Sequence, residues 1–212
     1  MEIKKIVIPV LISLLIFQFA VAQDDKDIKP RKAFVSINTG LYFPSIDYFK
    51  EQYGYPAFKN GMDIAMPLTN KNIYLFLKAN YYQKNGSGII YTFSQDTNSY
   101  HLEGEAKIRQ FNFHLGLQYG YNFNDLNSII FAGGFSYYIL NQTSNTPTFG
   151  KSESKIIGVG YFGSLGYERG FNSLPFKLFA VGQYNGKFQI SGLFESDDFG
   201  GFGLNLGIRY YL

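Results

Sequence analysis

From Ile108 to Phe123 the chain changes character at every residue. Phe111, Phe113, Leu115, Leu117, Tyr119, Tyr121 and Phe123 hold one parity, and Gln110, Asn112, His114, Gly116, Gln118, Gly120 and Asn122 the other. A helix would repeat about every 3.6 residues; a period of two belongs to a strand whose successive side chains point to opposite faces. The same pattern closes the chain, with Phe202, Leu204, Leu206, Ile208, Tyr210 and Leu212 set against Gly201, Gly203, Asn205, Gly207, Arg209 and Tyr211. Near the start, Val35, Ile37, Leu41 and Phe43 alternate with Ser36, Asn38, Gly40 and Tyr42. A chain patterned this way must fold as sheet, and both faces of that sheet need an environment.

Turn residues divide the chain into eight such runs, near 33–43, 57–66, 71–84, 105–123, 128–140, 155–169, 174–188 and 200–212. Three connections are short, at 67–70, 124–127 and 170–173, and four are longer, at 44–56, 85–104, 141–154 and 189–199. Short and long alternate strictly. In a closed antiparallel up-and-down barrel that order gathers the short turns and both termini at one rim and the long loops at the other, the plan of transmembrane β-barrels. The expected fold class is therefore all-β, a closed eight-stranded transmembrane barrel.

Alternation alone leaves the polarity of the wall open. A lipocalin-like soluble barrel would point its apolar face inward and carry charge outside. Here the second parity is mostly Gly, Ser, Asn and Gln, as in Gly158, Gly160, Ser164 and Gly166. Charged residues are 17% of the chain, against roughly 25% in soluble domains. Small polar residues suit the interior of a narrow barrel, which at eight strands is just wide enough for side chains. On this reading Gly116 is an inner-face position, where serine should cost less than arginine would at Leu115 or Leu206 on the outer face. Phe43, Tyr81, Tyr119, Tyr121, Tyr161, Tyr167 and Tyr210 fall near strand ends, as interfacial aromatic girdles do. Most of the longer runs exceed the roughly 9–11 residues that cross a bilayer.

The first 22 residues have a different composition. Lys4 and Lys5 precede an uncharged run from Ile6 to Ala22, ending in Ala20-Val21-Ala22. This is the pattern of a secretory signal peptide cleaved before Gln23; the alternative is a retained membrane anchor. The division is then 1–22 signal peptide, 23–32 flexible lead-in and 33–212 barrel, with no apolar run after cleavage long enough for a helical span. The absence of cysteine excludes a disulfide framework, a thiolate metal site and a lipid anchor at the new N-terminus. A net charge of +3, scattered along the chain, gives no footprint for nucleic acid.

A barrel in lipid cannot leave an open edge, so the first strand is expected to pair with the last. That last strand reads Gly203-Leu204-Asn205-Leu206-Gly207-Ile208-Arg209-Tyr210-Tyr211-Leu212. Its end, Tyr210, Tyr211 and Leu212, resembles the C-terminal assembly signal of outer-membrane barrels, with Leu in place of the usual final aromatic. Together with the signal peptide and the eight runs, it resembles the small outer-membrane β-barrel domain of Bacteroidetes-type bacteria, PorT-like proteins included, and in architecture the OmpA/OmpX type without a soluble domain. The resemblance covers 33–212. It implies a porin-like protein of the Gram-negative outer membrane, in contact with outer-membrane lipids and lipopolysaccharide and delivered by the barrel-assembly machinery. It also leaves room for an accessory role in protein secretion.

Ionisable residues on the inward parity are the candidates for chemistry: Asp63, Lys78, Glu168, Lys177 and Arg209. Buried charges must be paired, so these are expected to form an interior charge network, four of them near the short-turn rim: Glu168 facing Lys177 across one hairpin, with Arg209 and Asp63 completing that group. Such a network plugs the lumen; alternatively it gates a narrow pore for ions or very small solutes. His114 shares its face with Gln110, Asn112 and Gln118 and reads as a hydrogen-bonded lumen residue. An outer-membrane lipid-modifying enzyme would need a hydroxyl and a carboxylate beside it, and no local motif provides them. No catalytic, metal or cofactor site is expected. Glu195, Asp197 and Asp198 are either a solvated cluster or cation ligands. The apolar Gly88–Phe93 segment either extends the third strand, covers the mouth or meets a partner. The function expected is that of a non-enzymatic scaffold presenting long loops, with 85–104 and 189–199 as possible contacts for a protein partner.

Overall fold

The computed structural model describes residues 32–45, 47–68, 72–95, 98–148, 150–172, 174–188 and 200–212. The signal segment 1–22, nearly all of the lead-in and the acidic connection 189–199 lie outside the described residues. The strands are β1 (Phe34–Pro44), β2 (Ala57–Pro67), β3 (Ile73–Gln95), β4 (Asn98–Asn122), β5 (Asn127–Thr146), β6 (Gly150–Gly170), β7 (Phe176–Lys187) and β8 (Gly201–Tyr211). Each pairs antiparallel with its chain neighbours, and β1 pairs with β8, closing the barrel. The closing seam sets Val35 opposite Tyr210, Ile37 opposite Ile208 and Tyr42 opposite Gly203.

Closure fixes which parity faces in. Ile37, Phe58, Phe135 and Leu206 are 65, 71, 69 and 65% exposed on the outer wall. Ser36, Asn38, Asn112, His114 and Asn205 are buried inside. The apolar set therefore points outward, which excludes the lipocalin-like arrangement. A wall carrying this much exposed Leu, Ile and Phe has a far larger apolar patch than a water-facing monomer tolerates.

Two of the expected loops are strand instead. The connection 85–104 is almost all β-ladder, since β3 runs on to Gln95 and β4 starts at Asn98, with one register irregularity between Ile89 and Tyr91. Gly88–Phe93 thus belongs to β3. Likewise 141–154 shortens to a tight turn, because β5 continues to Thr146 and β6 begins at Gly150. For β3 this matches the strand-extension reading of Gly88–Phe93, whereas Asn141–Thr146 and Lys151–Lys155 are polar and carry no alternating apolar set to announce a strand. As a result β3 to β6 are 20 to 25 residues long and β1, β2, β7 and β8 only 11 or 12. One side of the barrel projects well beyond the other at the rim opposite the termini.

The connection 44–56 holds a short helix, α1 (Asp47–Tyr53). At seven residues it is too short to announce itself by period, and it is held by packing. Phe49 and Tyr53, one turn apart, are both buried against Tyr42, Ala57, Tyr82, Ile108 and Leu140. The helix ends on Gly54, which takes φ 68° and returns its N–H to the carbonyl of Lys50 at 3.0 Å. A left-handed residue after the last turn is best supplied by glycine.

Candidate functional site

The lumen is built in layers. Nearest the short-turn rim, Glu168 of β6 is the hub. Its Oε2 accepts from Arg209 Nη1 at 2.7 Å. Its Oε1 accepts from Lys177 Nζ at 2.9 Å, from the Tyr211 hydroxyl at 2.8 Å and from Ser128 Oγ at 3.3 Å. Glu168 is 1% and Arg209 2% exposed, so both ions have left water and only this coordination keeps the arrangement stable. Arg209 is also sandwiched by rings, its guanidinium carbon 3.9 Å from the centre of Phe34 and 5.1 Å from that of Phe179. Its Nη2 donates to Gln118 Oε1 at 3.2 Å. Beside it, Phe34, Ala65, Tyr74, Phe76, Ala132 and Phe162 pack as one buried apolar cluster.

The middle of the lumen is polar. Asp63 accepts from Ser36 Oγ at 2.7 Å and from Asn38 Nδ2 at 3.1 Å. Lys78 Nζ donates to Gln183 Oε1 at 3.0 Å. Gln183 Nε2 lies 3.3 Å from His114 Nε2, and His114 Nδ1 lies 2.8 Å from Ser136 Oγ. His114 is fully buried, its ring edge-on to Phe162 at 5.0 Å. Nearer the α1 rim, the Tyr82 hydroxyl donates to Gln110 Oε1 at 2.7 Å, and Gln110 Nε2 donates to Asn112 Oδ1. The cluster around Phe49 and Tyr42 covers this end.

The structure brings together Glu168, Lys177 and Arg209 but not Asp63. Asp63 shares the register partner Ser36 with Arg209, yet it forms no ion pair with the network: it stands opposite Lys78 in register and is satisfied by β1 hydroxyl and amide groups. Of the terminal residues, Tyr211 turns inward to Glu168, while Tyr210 and Leu212 are exposed. Among the girdle candidates, Tyr119 is buried against Ile73 rather than exposed. Lys59 and Gln183 were not singled out in the sequence. Each shares the parity of a residue that was, Lys59 with Asp63 and Gln183 with Lys177, and that shared parity was the available signal.

A hydroxyl does stand beside His114, but the opposite ring nitrogen meets the Gln183 amide and not a carboxylate. An amide can orient an imidazole; it cannot stabilise the imidazolium as a carboxylate does. Among the described residues, no three His, Cys, Asp or Glu side chains converge in a way that could hold a metal ion. The exposed Lys151–Glu153 pair, 2.5 Å apart on the projecting part of β6, contributes little to stability.

No protein-family model matches the chain, and no curated protein matches it in sequence. Solved structures do match in fold. The outer membrane protein OprG from Pseudomonas aeruginosa aligns with a TM-score of 0.56 at 13% identity, over 88% of this chain and 99% of that one. Neisserial surface protein A, NspA, aligns with a TM-score of 0.55 at 11% identity, over 85% and 97%. At such identities the likeness is one of fold, a closed eight-stranded antiparallel barrel of the kind found in outer-membrane proteins.

Proposed function

We propose that the chain is an integral outer-membrane barrel that works as a non-enzymatic scaffold with its lumen filled by its own side chains. The observation that carries this reading is Glu168, a carboxylate with four protein partners between aromatic residues, in a barrel whose opposite end is covered by α1. A conducting pore would leave such a group hydrated; here its lone pairs are used internally. The exposed apolar wall supports residence in lipid. The projecting parts of β3–β4 and β5–β6 are the surfaces offered to a partner. The PorT-like character of the sequence supports a place beside secretion machinery for that contact.

Planar bilayers test the filled lumen. Protein refolded from the full chain, with folding verified by altered gel mobility before boiling, should add no steady single-channel conductance. Steady openings would replace this reading with the narrow pore. Openings seen only after Arg209→Met would make the Glu168 network a gate.

A further inference from the structure

On the outer wall the apolar band stops at one register level. Tyr81, Phe111, Ile139 and Ile157 stand side by side across β3, β4, β5 and β6, and the next row outward is Gln83, Arg109, Asn141 and Lys155. One row further come Asn85, Lys107, Thr143 and Glu153. In a barrel held in lipid, the change from aromatic and aliphatic to polar side chains marks the hydrocarbon boundary. Arg109, Lys155 and Lys107 therefore sit at headgroup depth. On β1, β2, β7 and β8 the outer parity carries no charged residue at all, so these cations are gathered on one side of the barrel.

Little neutralises them. Arg109 and Lys155 are exposed and Lys107 is half-buried. None of the three forms an ion pair among the described residues, and Glu153 is taken by Lys151 at 2.5 Å. Arg109 is held by neutral groups instead. Its Nε donates to Gln83 Oε1 at 3.2 Å, and the Tyr81 hydroxyl donates to the same oxygen at 3.0 Å. Its Nη1 and Nη2 carry no further bond among the described residues; that pair of nitrogens is the one that grips a phosphate with two parallel hydrogen bonds.

On the same strands, inside the boundary, the wall is hollowed. Phe113, Leu115, Phe135, Tyr137, Val159 and Phe188 help to line an apolar groove of about 320 Å³. Phe113, Tyr137 and Val159 share one register row, four residues along each strand from Arg109, Asn141 and Lys155. At strand rise that is about 13 Å. A cationic row and an apolar groove, stacked on β4, β5 and β6, fit a ligand charged at one end and hydrocarbon at the other.

We propose that this face holds one anionic phospholipid of the outward leaflet. Its phosphate lies on Arg109 and Lys155, with the Asn141 amide between them in register and Lys107 one row behind, and an acyl chain fills the groove. The site rests on the outer-membrane reading and adds to it a lipid bound at a fixed place.

The test uses the full chain refolded in non-ionic detergent, with bound lipid counted by native mass spectrometry. One phosphatidic acid should be retained at least about tenfold more tightly than diacylglycerol with the same chains. Glycerol 3-phosphate, which has the phosphate without the chains, should not displace it. Arg109→Gln combined with Lys155→Gln should remove the preference; both positions are exposed, so the fold does not depend on them. Arg169→Gln, at an exposed outer-wall cation near the opposite rim, should leave it unchanged. Val159→Trp, which fills the groove, should weaken phosphatidic acid several-fold. Equal retention of the two lipids, displacement by glycerol 3-phosphate, a preference that survives the double change or falls equally with Arg169→Gln, or unaltered binding after Val159→Trp would each overturn the site. Brominated acyl chains that quench an indole on this wall, in protein with no phosphate preference, would overturn the site alone and leave the membrane reading standing.

Discussion

Glu168 illustrates what a buried ion requires. Its four donors come from three other strands, β5, β7 and, twice, β8, so three parts of the wall are tied to one carboxylate. Their worth differs with exposure. Arg209 is fully enclosed, whereas the Lys177 side chain keeps 24% of its surface, so water screens that pair. Glu168→Gln should therefore destabilise by about 3–5 kcal/mol, because it strands a buried guanidinium. Lys177→Met should cost about 1 kcal/mol or less. Glu168→Gln combined with Arg209→Met should cost less than the two single changes added together. Urea unfolding of the refolded barrel in lipid vesicles, set out as a double-mutant cycle, measures each term; additive single changes would show that the pair is not coupled. Parity alone brought Glu168, Lys177 and Arg209 onto one face of the sequence, and it did so because the strand period is strict. It could not show that Asp63 takes Ser36 and Asn38 as partners instead of the rim ions, because which side chains meet across the lumen is set only in three dimensions. Lys59 was equally visible by parity; what marks it is a buried Nζ with no hydrogen-bond partner among the described residues, and that is legible only in three dimensions.

At the level of strands, the wall is narrow enough that glycine has two distinct uses. A Cβ on Gly116 would fall 2.3 Å from the Gly133 carbonyl oxygen and 2.9 Å from Phe162 Cζ. The inner face at Gly116 is thus a point where β4 backbone meets its neighbours closely, so a serine there has a cost of its own that the small polar composition did not signal. Gly163, on the outer parity of β6, has nothing within 4 Å of its added Cβ. Gly116→Ser should cost about 1–3 kcal/mol, and Gly163→Ala should stay within about 0.5 kcal/mol of the natural chain. The same urea titrations decide the matter, and equal effects at the two positions would contradict the close approach. The short strands β1, β2, β7 and β8, whose apolar and polar residues alternate over most of their length, were legible nearly to the residue. The outer parts of β5 and β6 were not, because Asn141–Thr146 and Lys151–Lys155 are polar without an alternating apolar set; in β3 only Gly88–Phe93 offered strand extension as one of its readings. The helix α1 was not legible either, since its stability comes from Phe49 and Tyr53 meeting the barrel interior and not from its own seven residues.

For the molecule as a whole, the central claim is that the apolar parity faces lipid. Leu206 on β8 and Phe135 on β5 stand on different sides of the barrel and are among the most exposed of the outer set. The natural chain contains no tryptophan, so a single introduced indole is an unmixed reporter. Leu206→Trp, Phe135→Trp and, on the projecting part of β6, Lys151→Trp give three positions that the fold assigns to lipid, lipid and water. Each variant would be refolded into vesicles made with lipids brominated along the acyl chain, and fluorescence quenching recorded. The account predicts strong quenching at 206 and 135 and little at 151. Fluorescence at 206 and 135 that is untouched by brominated chains, in protein shown to be folded, would contradict it.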